Sequence, residues 1–228
     1  MKQKIFIAIA TLALTPQLTR AAIFDAADIL RPGSNSIGIL TEAVLSNPSS
    51  EGIELRAKQG INEMVNLQAI LGTGSDNRKF RFGGQSTITF FPDADGQPGI
   101  SLLAGALYLR RATYSALQIS SGPMIHEIVS GPHGYPITLY LAMPWSIELH
   151  SGNYNTSLQL AFGANYELTE KRNWFANTEA GIALNRSESY VALGIGMRLG
   201  QATFLNTKKS SKNKESNEIE YKSEDFTE

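Results

Sequence analysis

The chain has no cysteine, almost no net charge and no apolar run long enough for a membrane-spanning helix. Without cysteine, no disulfide can hold the fold, so another closed network, such as a complete hydrogen-bond ladder between strands, has to do so. A formal net charge of −1 gives no electrostatic basis for binding nucleic acid. A mean hydropathy of −0.14 is too polar for a helical membrane protein.

The two ends of the chain differ in composition from its middle. Residues 1–21 combine an early basic start, an apolar run and small residues before a cleavage point after Ala21, which predicts an export signal. Residues 22–34 are expected to form an arm. Residues 201–228 are rich in Lys, Glu, Ser and Asn without a period, which predicts a disordered, solvated tail.

The middle of the chain alternates apolar and polar residues with a period of two. The clearest stretch is 156–168, where the even positions from Leu158 to Leu168 are apolar or aromatic and the odd positions are polar or small. Such alternation gives a strand one apolar and one polar face. Ten segments of this kind are separated by turn residues: 35–46, 52–60, 63–73, 79–91, 100–111, 115–128, 137–149, 155–168, 173–185 and 189–200.

The composition of the polar face indicates which face is inside. It contains many glycines, which weaken a water-exposed strand but fit the crowded interior of a narrow barrel. The apolar face carries large residues and few charges, as contact with lipid requires. Residues 35–200 are therefore predicted to be an all-β, antiparallel, up-and-down transmembrane β-barrel of about ten strands, with eight or twelve also open.

The last predicted strand ends in an alternating run with one basic residue before its final apolar residue. That run is Gly194, Ile195, Gly196, Met197, Arg198 and Leu199. It is similar to the closing strand of the small outer-membrane β-barrel proteins of Gram-negative bacteria, and this resemblance covers about residues 35–200. It implies residence in the outer membrane, contact with its lipids and recognition of the closing strand by the barrel assembly machinery. This chain departs from that family in ending the strand on Leu199 rather than on an aromatic residue.

The inferred interior carries five acids and five bases. Buried charges are tolerated only when they are paired, so these residues predict a network of ion pairs in the lumen. A barrel of about ten strands is near the size that side chains can fill, which favours a plugged lumen over a charged channel. The predicted network comprises Glu42, Glu54, Arg56, Lys58, Lys79, Arg81, Glu148, Glu167, Glu179 and Arg198.

The residues favour a non-enzymatic outer-membrane barrel with a structural or narrow transport role. One alternative is a lipid-modifying hydrolase in which His126, on the predicted inner face, acts as the base for a serine. Another is a soluble periplasmic lipid-binding barrel with its apolar face turned inward. No histidine pair has metal-binding spacing, so neither a metal nor another cofactor is expected.

Overall fold

A computed structural model describes residues 29–46, 49–94, 96–169 and 173–200. Their regular structure consists of β-strands and two short 3₁₀ turns, 76–78 and 132–134. No helix among these residues is long and apolar enough to cross a membrane. The strands are β1 (Asn35–Val44), β2 (Ser50–Gly60), β3 (Val65–Gly74), β4 (Phe80–Phe91), β5 (Gly99–Arg110), β6 (Ser115–Ser130), β7 (Pro136–Ala142), β8 (Trp145–His150), β9 (Asn153–Glu167), β10 (Trp174–Asn185) and β11 (Tyr190–Leu199).

The strands form one closed antiparallel sheet. Apart from β7 and β8, each strand pairs with its neighbours along the chain, and β11 pairs with β1 over ten residues from Asn35↔Leu199 to Val44↔Tyr190. Both β7 and β8 lie between β6 and β9, so together they fill one position in the wall. The architecture is therefore a closed, all-β barrel with ten wall positions, which confirms the predicted fold class.

The seventh predicted segment is interrupted, which corrects the expectation of one strand over 137–149. The interruption lies at Met143 and Pro144, where proline has no N–H to donate to the ladder. The Met143 N–H instead donates to the Pro123 carbonyl at 3.0 Å. Gly122 lies beneath this kink, and a Cβ there would be 2.4 Å from the Met143 carbonyl oxygen. The wall thus stays hydrogen-bonded to both neighbouring strands through this interruption.

The barrel has two distinct ends. The termini end contains the start of β1, the end of β11 and the connections 61–64, 92–98, 131–135 and 168–173. The turn end contains the tight connections 45–49, 75–79, 111–114, 151–152 and 186–189. The predicted export signal 1–21, most of the arm 22–34 and the tail 201–228 lie outside the described residues.

The outer face of the barrel is apolar and exposed. Large side chains that point outward are about half exposed, for example Ile195 at 50% and Leu141 at 47%. The only charged residues at outward positions of the strands are Glu51, Arg110 and Glu127, and each lies within four residues of a strand end. About ten residues inclined by about 40° cover roughly 25 Å along the barrel axis, the height of the apolar band of a transmembrane barrel. The soluble alternative, with the apolar face inward, is wrong, because the distribution of side chains is the reverse.

Candidate functional site: a charged network in the lumen

The inner face of the barrel contains a neutral set of buried charges. Among the described residues, ten Asp, Glu, Lys or Arg side chains are at most 4% exposed, and five of them are acids and five are bases. We call these ten residues the lumen network. Its members are Glu42, Glu54, Arg56, Lys58, Arg78, Arg81, Arg111, Glu148, Glu179 and Glu188.

The centre of the network near the turn end is Glu42 on β1. Its Oε2 accepts hydrogen bonds from Arg78 Nη1 at 2.6 Å and from Arg81 Nη2 at 3.0 Å. Arg78 lies in the turn between β3 and β4, and its Nη2 is 3.4 Å from Oε2 of Glu188. Glu188 belongs to the turn between β10 and β11. One guanidinium therefore connects the second turn of this end with the last one, across 110 residues of sequence.

A second set of contacts lies deeper in the lumen on β2. Glu54 Oε2 accepts from Arg56 Nε at 2.8 Å, while Glu54 Oε1 is in ion-pair contact with Arg81 Nε. Glu54 and Arg56 are two residues apart, so both side chains project from the same face of the strand. Arg81 thus joins this pair to Glu42, which makes the two sets of contacts continuous.

A third group fills the opposite side of the lumen at the turn end. Arg111, in the turn between β5 and β6, donates through Nη2 to Glu148 Oε2 at 2.5 Å and through Nε to Oε1 at 3.3 Å. The Tyr114 hydroxyl donates to the same carboxylate at 3.0 Å. Burial raises the pKa of Tyr114 to about 12, and although Arg111 opposes this shift, Glu148 adds to it. Tyr114 therefore stays protonated and remains a donor to Glu148 over the ordinary pH range.

Near mid-height, Glu179 on β10 accepts hydrogen bonds from two tyrosines. Tyr140 Oη donates to Glu179 Oε2, and Tyr190 Oη donates to Oε1. Two glycines make room for these rings: a Cβ at Gly163 would be 2.4 Å from the Tyr140 hydroxyl, and one at Gly181 would be 2.0 Å from the Tyr190 ring. The inward glycines therefore allow large polar side chains to cross the lumen.

The position of Arg78 has an energetic cost. Burial lowers the pKa of this guanidinium below its ordinary value, although Glu42 acts in the opposite direction. Because arginine does not lose its proton at any ordinary pH, the shift means that its charge is costly in this place. Two carboxylates, those of Glu42 and Glu188, share the compensation of this one charge.

The structure brings seven of the ten sequence-predicted residues into the network. Lys79 is different: it is exposed and lies outside the network, because the 3₁₀ turn at 76–78 ends the period-two alternation one residue before β4. Glu167 and Arg198 form a separate pair at 3.1 Å, with side chains that are 13% and 20% exposed. This pair lies at the termini end.

Three members of the network were missed by the sequence pattern. Arg78, Arg111 and Glu188 all lie in turns at the turn end, where alternation does not indicate a direction. Their presence within a few residues of predicted strand ends was the only available signal. The predicted closing strand, Gly194 to Leu199, lies within β11 and pairs with β1 on one side and β10 on the other.

His126 is buried on the inner face of β6, at 2% exposure. Neither of its ring nitrogens has a hydrogen-bond partner among the described residues. The Ser–His contact that a hydrolase would require is therefore not formed in this structure. No group of three or more His, Asp or Glu residues in the described ranges is arranged to hold a metal ion.

Solved structures that resemble the barrel include a natural channel, a designed barrel and a bacterial attachment protein. An outer-membrane channel from Pseudomonas putida F1 gives a TM-score of 0.48 at 11% identity, over 79% of this chain and 100% of that chain. A de novo designed transmembrane β-barrel gives 0.39 at 13% identity, over 75% and 100%. The attachment invasion locus protein Ail of Yersinia pestis, solved with the heparin analogue sucrose octasulfate, gives 0.30 at 14% identity, over 73% and 97%.

No protein-family model and no curated protein sequence matches this chain. The three TM-scores are all below 0.5, so these similarities do not indicate a role for this chain. The assignment to a membrane therefore rests on the apolar outer face and the polar, charge-balanced lumen.

Proposed function

We propose that this protein is an integral outer-membrane β-barrel with a structural role, whose lumen is plugged by ion pairs. One observation carries the proposal: five acids and five bases, all at most 4% exposed, are buried inside the barrel as a neutral set. Charges in a water-filled pore remain exposed, whereas charges excluded from water need partners.

The contacts of the network extend across the lumen rather than along one wall. Glu42 on β1 is linked through Arg78 to Glu188, and the backbone carbonyl of Glu188 accepts from Gln159 Nε2 on β9 at 2.6 Å. On the far side, Arg111 from the turn between β5 and β6 pairs with Glu148 on β8 at 2.5 Å. Contacts from several strands and three turns thus converge on the turn end, which supports a plug at that end.

The location and the route of assembly are part of the same proposal. The predicted export signal 1–21 supports delivery across the inner membrane, and the apolar band supports insertion among outer-membrane lipids. The resemblance of β11 to a closing strand supports recognition by the barrel assembly machinery. No catalytic step and no cofactor forms part of this function.

Planar-bilayer recording of the refolded protein tests the plug. Insertion is first established by a difference in gel migration between boiled and unboiled samples. The inserted parent is expected to show no stepwise conductance. A variant lacking one central pair, Glu42→Ala with Arg78→Ala, is expected to show conductance steps.

The matched control removes the partly exposed pair at the other end, Glu167→Ala with Arg198→Ala, and is expected to stay silent. A steady open conductance in the parent would contradict the plug and support a narrow transport role instead. A parent that stays soluble and monomeric without detergent would contradict the membrane assignment itself.

A further inference from the structure

A cavity of about 560 Å³ opens at the termini end of the barrel, whereas the plug lies at the turn end. It is bounded by residues 29–34 before β1, by the connection between β4 and β5 and by the ends of β6, β7 and β11. Leu30 is 3% exposed, and the backbone of 30–31 runs across Gly60, where a Cβ would be 2.4 Å from the Arg31 carbonyl oxygen. The cavity is therefore a defined mouth, partly covered by the chain itself.

The polar group that stands out in this mouth is the imidazole of His126. It lies over Gly99, where a Cβ would be 2.2 Å from Nε2, so the glycine provides the space for the ring. Both ring nitrogens are buried and without a hydrogen-bond partner among the described residues. A neutral imidazole offers one N–H donor and one nitrogen acceptor. Burying both without a hydrogen bond is costly.

The other charged groups of the mouth already have partners or reach solvent. The Asp93 carboxylate accepts a hydrogen bond from the Ile128 backbone N–H. Arg198 is paired with Glu167 at 3.1 Å and lies over the Phe175 ring at 5.4 Å. Arg31 is exposed. A charged ligand would therefore find no unpaired buried charge of opposite sign in the mouth. The free energy needed to remove water from the ligand's charge would not be compensated.

The remaining lining is largely apolar. Leu30, Ile128, Pro136 and Leu199 contribute to the cavity walls. A site in which apolar wall residues surround one buried polar group without a hydrogen-bond partner suits an apolar body with one hydroxyl or amide group. Hydroxyls and amides both donate and accept, so either can pair with one of the ring nitrogens, whether that nitrogen is the donor or the acceptor of the tautomer.

From these observations we infer that the mouth is a binding site for a small uncharged amphiphilic molecule, held by His126 through a hydroxyl or amide group. The site lies outside the plug, so binding here does not depend on whether the lumen conducts. The cavity volume is within the usual range for small-molecule sites.

The test uses histidine-selective isotope labelling of the full chain, refolded in phospholipid nanodiscs. The chain has three histidines, and the His126 resonance is identified as the one missing in His126→Gln. Three probes with the same six-carbon chain are titrated: 1,2-hexanediol, hexanoate and hexylammonium. The diol is expected to shift the His126 ring resonance with saturation at low-millimolar concentration, as suits a ligand of this size. The two charged probes should bind at least about tenfold more weakly.

Two variants separate binding in the mouth from partition into lipid. Thr138→Trp, on the cavity wall, should abolish the diol-dependent shift, whereas Thr178→Trp, on the outer face of β10, should leave it unchanged. His150, at the turn end, should not respond in any sample. Equal shifts with all three probes, no shift with the diol, or a shift that persists in folded Thr138→Trp would each overturn the inference.

Discussion

Replacing Arg81 by methionine should show how dry the lumen is. Arg81 Nη2 donates to Glu42 at 3.0 Å, its Nε contacts Glu54, and its side chain is 3% exposed. Methionine has a similar length and keeps most of the packing, but it removes the charge. The buried set then contains five acids and four bases.

The expected loss is about 3–5 kcal/mol, the usual cost of leaving a buried charge without its partner. A loss of 4 kcal/mol lowers the folding equilibrium constant about a thousandfold. Arg198→Met is the matched control, because the same change is made at a pair whose arginine side chain is 20% exposed. That pair reaches solvent in part, so Arg198→Met should cost less than Arg81→Met.

The assay is reversible urea unfolding in lipid vesicles, followed by tryptophan fluorescence. The chain has two tryptophans, Trp145 and Trp174, both on the outer face and nearly half exposed to the surrounding lipid. Their emission should move to longer wavelength when the barrel leaves the bilayer. Gel migration of unboiled samples gives an independent measure of the folded fraction.

A second variant separates lost charge balance from lost packing. Adding Glu42→Gln to Arg81→Met restores four acids against four bases, so the double variant should be more stable than Arg81→Met alone. If Arg81→Met and Arg198→Met cost the same, or if the double variant is the least stable of the three, the lumen is wet and the plug is not held as described.

Three further results are expected. Ile195→Arg places a charge in the middle of the lipid-facing side of β11 and should cost about 2–4 kcal/mol in vesicle unfolding, whereas Leu45→Arg, in an exposed turn, should cost about 1 kcal/mol or less; equal costs would contradict the assigned position of the bilayer. Gly163→Ala should destabilise the barrel by about 1–3 kcal/mol, because the added methyl group would lie 2.4 Å from a tyrosine hydroxyl. Gly38→Ala is the control and should fold almost as well as the parent, because the nearest atom to its methyl group would be 3.4 Å away. Similar unfolding midpoints for the two variants would argue against a crowded lumen. Deleting 201–228 should leave the unfolding midpoint unchanged, and a lower midpoint would mean that the tail packs on the barrel.

Much of the fold could be predicted from sequence because period-two alternation reports directly on the two faces of a strand. The segment predicted over 100–111 corresponds to β5 at Gly99–Arg110, and that over 173–185 corresponds to β10 at Trp174–Asn185. Alternation failed where a local feature interrupts it, as at Pro144. It was also ambiguous on β5, where both faces carry leucine. Pairing with β4 and β6 turns Leu103 inward there.

The candidate site was less predictable than the fold. Strand members such as Glu54 and Arg56 could be assigned to the lumen because their direction follows from their parity. Turn members could not, because the direction of a turn side chain is set by the local backbone. At one such turn the sequence predicted Lys79 as a member of the network, whereas the structure places the preceding residue, Arg78, there. The mouth around His126 depends on Gly99 and on residues 29–34, and no periodic pattern in the sequence links these positions.

The contact between Arg78 and Glu188 has a consequence for the order in which the barrel is built. It joins a turn in the first half of the chain to the turn that precedes the last strand. In an open, unfinished sheet both groups are solvated and gain little by pairing. They become buried partners only when β11 has paired with β1 and water has left the interior. Completion of the last hairpin and locking of the lumen should therefore be a single cooperative event, and a chain that stalls before it would keep its charged interior hydrated.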